Sequence, residues 1–206
     1  MMKLTQGLAG LVVAVACFTG SATAQDVSLS YGEPAYRGSG CPDGSVALGT
    51  SPTAFTLLYD SFIAEDSDGV RARERTKVCA IRVPVSVPAG YQISIDSVDH
   101  RGYVSLTEKA WGYLKTQFRV KGKAWHNFGT SKRDYFVGPL DEDYFRRDEV
   151  KRSNRQWSPC GGTFYFDIYT HMHVDAKRYN QALLTLDSSD AAMSTRYGID
   201  VRKCRK

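Results

Sequence analysis

The segment whose residue types could most directly do chemistry is His171-Met172-His173-Val174-Asp175. On an extended strand, residues two apart face the same way, so His171, His173 and Asp175 share one side. Two imidazoles and a carboxylate suit zinc or another first-row transition metal, with a further ligand such as His100 or His126 drawn from elsewhere. Without a metal, the same three residues are the polar face of a strand whose other side carries Phe166, Ile168 and Met172. Carboxylates also alternate before a glycine in Glu65-Asp66-Ser67-Asp68-Gly69 and cluster in Asp141-Glu142-Asp143, and either run could take calcium. The first lacks the later glutamate of an EF-hand loop and runs into Arg71, Arg73 and Arg75, so both read mainly as solvated loops. The reading therefore requires no cofactor, with zinc or calcium as the alternatives.

Covalent chemistry has less support. The chain holds no Gly-x-Ser-x-Gly elbow, phosphate-cradling loop or dinucleotide fingerprint. Asp99, Asp141, Glu142, Asp143 and Asp167 could pair as glycosidase carboxylates, but sequence does not set their separation. Aromatic residues give the stronger argument. Trp111, Trp125, Tyr165 and Tyr169, with Tyr135 and Tyr144, are numerous for polar segments. On the solvent phase of their strands they would form a stacking platform for sugar rings. Packed inward, they would only fill a core.

These residues sit in segments whose apolar positions recur every second residue. In Cys79–Val87 the odd positions are apolar, Tyr91–Ile95 repeats the pattern after Pro88-Ala89-Gly90, and Phe164, Phe166, Ile168 and Met172 alternate with Tyr165, Asp167, Tyr169, His171 and His173. Such alternation predicts antiparallel strands with one core face. Pro84 cannot donate to a ladder, which predicts an edge strand or a bulge there. Further predicted strands are Val27–Tyr31, Ser45–Leu48, Phe55–Ser61, Tyr103–Leu106, Tyr113–Val120, Tyr144–Asp148, Ala182–Leu186 and Tyr197–Lys203. Turn residues at Pro42-Asp43-Gly44, Asp68-Gly69, Lys121-Gly122, Gly138-Pro139 and Gly161-Gly162 separate them. The expected fold is all-β, an antiparallel β-sandwich of two packed sheets. Helix is confined to short pieces, for example around Asp190–Thr195.

The start of the chain reads as an export signal. Lys3 precedes an apolar stretch from Gly7 to Phe18, and Ala22-Thr23-Ala24 offers a small-x-small cleavage pattern. Residues 1–24 are thus the expected signal peptide and residues 25–206 a single secreted domain. The apolar stretch is too short to span a bilayer, which takes about 20 residues. A lipoprotein acylated at Cys17 is the weaker alternative, because Ala14-Val15-Ala16 precedes it where leucine is usual. The remaining cysteines, Cys41, Cys79, Cys160 and Cys204, form an even set that an oxidising compartment would close into two disulfides. Three pairings are open. Cys41–Cys79 with Cys160–Cys204, which staples each half separately, is favoured over the crossed forms.

Charge narrows the partners. The chain has 27 basic and 22 acidic side chains, a formal +5, of which only Lys3 lies in the leader. The runs Arg71–Lys77 and Arg146–Arg155 are interrupted by acids, unlike the basic stripe of a nucleic-acid binder. No Asn-x-Ser/Thr sequon occurs, so no N-glycan is expected.

Several segments in order carry a resemblance: Gly38-Ser39-Gly40-Cys41-Pro42-Asp43-Gly44-Ser45, Val98-Asp99-His100-Arg101-Gly102-Tyr103, Gly138-Pro139, Trp157-Ser158-Pro159-Cys160-Gly161-Gly162, and Val201-Arg202-Lys203-Cys204. Together they resemble the secreted domain-of-unknown-function family 4360, over most of residues 25–206. The resemblance implies an exported, disulfide-bonded domain and supplies no reaction. His100 stands where the resemblance leads one to expect an aromatic residue before Arg101, so it confers no special role on His100. Physically, the glycines read as turn or bulge positions, Trp157 as an indole packed on a disulfide, and Arg101 as a partly buried fork toward carbonyls or Asp99.

The resulting expectation is a non-catalytic secreted module that binds polysaccharide or another cell-envelope surface, without nucleic-acid binding or membrane insertion. The alternatives are a secreted hydrolase or metalloenzyme using His171, His173 and Asp175, and a secreted toxin or effector.

Overall fold

The computed structural model describes residues 27–120, 129–130, 133–176, 180–186 and 194–204. Fourteen strands run through these residues: β1 (Ser30–Tyr31), β2 (Ala35–Arg37), β3 (Val46–Ser51), β4 (Ala54–Tyr59), β5 (Ile63–Asp66), β6 (Thr76–Val87), β7 (Tyr91–Leu106), β8 (Trp111–Val120), β9 (Gly129–Thr130), β10 (Asp134–Val137), β11 (Leu140–Glu149), β12 (Gly162–Asp175), β13 (Ala182–Thr185) and β14 (Ser194–Lys203). The only helical pieces among the described residues are 3-10 turns at Ala72–Arg75 and Arg152–Asn154. The helix expected around Asp190–Thr195 lies mostly outside the described residues, and Ser194 and Thr195 open β14.

Every pairing is antiparallel. The first sheet has the order β1-β6-β12-β8-β10, with β2 also on β6 and β9 also on β8. The second runs β3-β4-β14-β7-β13-β5, with β11 also on β7. The alternation that predicts strands also explains why the sheets stack. β12 buries Phe164, Phe166, Ile168, Met172 and Val174 while Tyr165, Asp167, Tyr169, His171 and His173 face outward. β8 and β6 supply Leu114, Phe118, Ile81, Val83 and Val85 to the same interior. The second sheet answers with Phe55, Leu57, Ile93, Ile95, Val104 and Leu184. Each such side chain contributes about 1.5–3 kcal/mol when fully removed from water.

Cys41 is joined to Cys79 and Cys160 to Cys204, so each half carries its own staple. The first bridge lies wholly in the core, whereas Cys160 is exposed. Trp157, whose position suggests packing on a bridge, meets an arginine. Its ring lies 3.7 Å from the Arg202 guanidinium, which finds there a cation–π partner.

Pro84 sits on neither an edge nor a bulge. β6 is paired on both sides, and the neighbouring strand is broken instead: β1 ends at Tyr31 and β2 begins at Ala35. Gly32 fills the break by donating its N–H to the Pro84 carbonyl at 3.0 Å. At Gly102 a side chain would collide with the Thr185 carbonyl oxygen and the Tyr144 hydroxyl, so this glycine serves close approach rather than a turn. Tyr144 uses that space to donate to the Thr185 oxygen at 2.7 Å. Tyr144 is therefore core, not platform. Arg101 is exposed and lies over the Phe145 ring at 5.0 Å, while Asp99 faces Arg147 and Arg196 at 3.4 and 3.6 Å.

Candidate functional site

The outward phases of β8 and β12 share one solvent-facing surface, because the two strands are in register along ten residue pairs from Phe166↔Val120 to Asp175↔Trp111. Three of the four residues expected to bind, Trp111, Tyr165 and Tyr169, lie on that surface. Trp125 lies outside the described residues, as does His126. From Tyr165 to Asp175 the surface runs about 33 Å along β12 at the usual strand rise.

One end of this face is a cluster of rings. The pairing His173↔Tyr113 and Tyr135↔Tyr113 places three side chains on one rung. Tyr113 is the hub: its ring centroid is 5.4 Å from His171, nearly parallel at 13°, 5.7 Å from His173, 6.0 Å from Tyr135 and 6.3 Å from Trp111. Arg133 caps Tyr113 at 4.4 Å and donates to the Tyr135 hydroxyl at 3.1 Å. Burial holds the His171 imidazolium below the usual histidine range, aided by the charges of His173, Arg133 and Lys115. His171 therefore presents a neutral ring at neutral pH.

The other end is polar. Asp167 on β12 lies between Arg82 of β6 and Arg119 of β8, and its register partners are these same two residues. Arg82 Nε donates to Asp167 Oδ1 at 2.7 Å, and Arg119 Nε and Nη2 donate to Oδ2 at 3.3 and 3.2 Å. The bond to Asp167 raises the already high pKa of Arg82. A cleft of about 450 Å³ opens beside this triad, lined among others by Tyr36, Arg37, Arg82, Arg119, Asp167 and Tyr169.

The metal and calcium expectations meet different geometry. His171, His173 and Asp175 do share a face, but four residues of strand put His171 and Asp175 about 13 Å apart along the backbone. His173 Nδ1 is engaged with the Thr76 hydroxyl at 2.7 Å, and its ring packs on Trp111 at 5.5 Å. Among the described residues no three His, Cys, Asp or Glu side chains converge as a metal site. Glu65 and Asp66 belong to β5 rather than a loop. Asp66 is buried, bonded to Arg75 at 2.8 Å and to the Ala176 N–H at 2.7 Å. Asp141, Glu142 and Asp143 belong to β11, paired with Ser105, Val104 and Tyr103, and Asp141 accepts from the Tyr103 hydroxyl.

Sequence reasoning did not single out Tyr113, Arg133, Arg82 or Arg119. Tyr113 had a usable signal, since it lies two residues from Trp111 and so on its face. Arg119 shares that phase of β8, whereas Arg82 and Arg133 had no signal, because β6 and β10 are brought beside β12 and β8 by pairing alone.

Comparison with known proteins gives individual likenesses, among them one solved structure and one relative. The Family 11 Carbohydrate-Binding Module from Clostridium thermocellum, solved in complex with a β-1,3-1,4-mixed-linked tetrasaccharide, shares 12% identity, with 86% of this chain and 92% of that one covered. Its TM-score of 0.19 is too low to carry any argument. A relative from Arthroderma benhamiae, described as an "Uncharacterized secreted protein", is 31% identical over 172 residues, 82% of this chain and 69% of that protein. With two disulfides besides, the chain is a secreted, extracellular protein. The Domain of unknown function (DUF4360) family matches residues 28–204, and the chain belongs to it.

Proposed function

We propose that this protein is a non-catalytic binding module whose outer first-sheet face holds polysaccharide or another glycan of a cell envelope. The reading takes residues 1–24 as the export signal and residues 25–206 as one secreted domain. The observation that carries it is the contiguous row of rings, Trp111, Tyr113, Tyr135, His171 and His173, continued by Tyr169 and Tyr165 on the same exposed phase. Flat rings offer apolar contact to the C–H faces of sugars. Gln117, Lys115 and the Arg82–Asp167–Arg119 triad, interleaved with the rings, offer hydrogen bonds to hydroxyls. Antiparallel pairing fixes these groups on a stiff sheet, so little ordering is lost on binding.

Pull-down of the secreted protein on a panel of insoluble polysaccharides tests the reading. Retention on at least one, abolished in Trp111→Ala/Tyr113→Ala with the fold intact by circular dichroism, is the expected result. A folded protein that no glycan retains overturns it.

A further inference from the structure

We infer that the glycan taken by this face is acidic, a polymer carrying carboxylates along its length. The inference rests on the platform reading and adds the substrate class to it. The solvent-facing rows of β6, β8 and β12 carry Arg82, Lys115, Arg119, Asp167 and Asp175, and Arg37 and Arg133 flank them. Among the described residues five cations thus stand against two carboxylates on this face, so positive charge is in excess where the rings are. A neutral sugar can accept hydrogen bonds from these side chains but gains nothing from their net charge, and clustered cations repel one another in the free protein. A polyanion relieves that repulsion and is drawn to the face from a distance.

Geometry favours carboxylate as the acid group. The Arg82 and Arg119 guanidiniums already grip one, that of Asp167, at 2.7–3.3 Å, and planar guanidinium forks suit a planar carboxylate. Among the described residues Arg82 bonds Asp167 through its Nε and lies over the Tyr165 ring at 5.7 Å, so its outer nitrogens still donate to no side chain there and remain for a ligand at the mouth of the cleft. Arg37, exposed on β2, forms no ion pair among the described residues and lines the same cleft. Lys115 lies four residues from Arg119 on the same phase of β8, about 13 Å along the strand. Arg133 closes the row over Tyr113. The cations are therefore spread along the length of the ring row, which fits a chain with repeated charges better than one small anion.

The experiment measures binding of the full secreted protein to polygalacturonate, to neutral mixed-linked β-glucan and to single-stranded DNA, each at 50 and 300 mM NaCl. Expected is preferential binding to polygalacturonate, about tenfold or more weaker at the higher salt, as screening demands. The triple variant Arg37→Gln/Lys115→Gln/Arg133→Gln should lose about tenfold or more of that affinity. None of the three holds an ion pair among the described residues, and Arg133 gives up only its outer-face contacts to Tyr113 and Tyr135, so a melting temperature within a few degrees of the parent's confirms that binding and not folding was changed. Binding to neutral glucan as tight as to polygalacturonate overturns the acidic specificity and leaves the platform. Affinity unaltered in the triple variant overturns it too, and equal binding of DNA reduces it to unspecific polyanion attraction. Retention on no glycan of any kind removes the platform reading beneath it.

Discussion

Tyrosine and histidine occur both inside the sandwich and on the outer face of its first sheet, and the two populations behave as different chemical groups. Inside are Tyr59, Tyr144, Tyr197 and His100, none more than 4% exposed. Burial pushes the three phenols up and drives the His100 imidazole down to about 3, because an interior without counter-charges disfavours the ionised form. Outside, Tyr169 is 37% exposed and Tyr135 58%, and Tyr113 shares its rung with His173. Residue type does not separate structure from function here. The phase of each residue on its strand does.

The interior population responds most strongly to pH. His100 bonds through Nδ1 to the Thr195 hydroxyl at 3.2 Å, and its Nε2 has no hydrogen-bond partner among the described residues. Above its unfolded pKa of about 6.5 the ring is neutral in both states, and stability is unaffected. Between that value and about 3 the unfolded chain takes up a proton that the native chain refuses, so stability falls as pH falls. The total loss is on the order of 5 kcal/mol, at about 1.4 kcal/mol per pH unit. Urea unfolding at stepped pH should show this slope in the parent and a flatter one in His100→Gln. Equal slopes would mean that the ring is charged or wet inside the fold.

Next in size is Phe166→Ala, which removes a ring packed between Phe164 at 5.5 Å and Phe55 at 6.1 Å. The cavity it leaves should cost about 3–5 kcal/mol, read as a lower urea midpoint with unchanged m-value. The two disulfides allow a finer version of the same contrast. Their separations, 38 and 44 residues, restrict the unfolded chain almost equally, by about 4 kcal/mol in the chain-entropy treatment. Any difference between them must then come from the native state. Cys41→Ala/Cys79→Ala also empties a fully buried site, so it should destabilise by about 1–2 kcal/mol more than Cys160→Ala/Cys204→Ala. Mild reductant should open Cys160–Cys204 first, as followed by thiol labelling of the folded protein. Equal costs would indicate that the core closes around the missing sulfurs.

The sequence made the regular strands legible and the irregular one illegible. β12 and the Cys79–Val87 part of β6 keep strict alternation because each has a wet face and a dry one. β7 read as two pieces, Tyr91–Ile95 and Tyr103–Leu106, because Ser97, Asp99 and His100 between them are polar yet buried. A register shift opposite Gly198 and Ile199 also changes its phase, so Ile95 and Val98 both point inward. β10 was missed because four residues with a single buried phenylalanine give no period. For the face itself, β12 supplied enough pattern to place Tyr165, Tyr169 and the histidines. What no pattern could supply was adjacency: Arg82 and Arg119 meet Asp167 across sequence gaps of 85 and 48 residues.

The smallest expected stability effect is the one that most sharpens the contrast. Tyr169 sits mid-strand on β12, flanked across the sheet by Ala80 and Gln117, and is 37% exposed. Tyr169→Ala loses some strand propensity and partial burial but leaves no closed cavity, so the change should be about 1 kcal/mol, or a few degrees in Tm for a chain this long. Its neighbour Ile168 points the other way and is 2% exposed, so Ile168→Ala should cost about 2–5 kcal/mol from one position earlier. If differential scanning calorimetry gives both variants the same Tm, the outer face belongs to the fold and is not free for a ligand. If Tyr169→Ala melts like the parent while losing retention on polysaccharide, one strand carries stability on its even residues and binding on its odd ones.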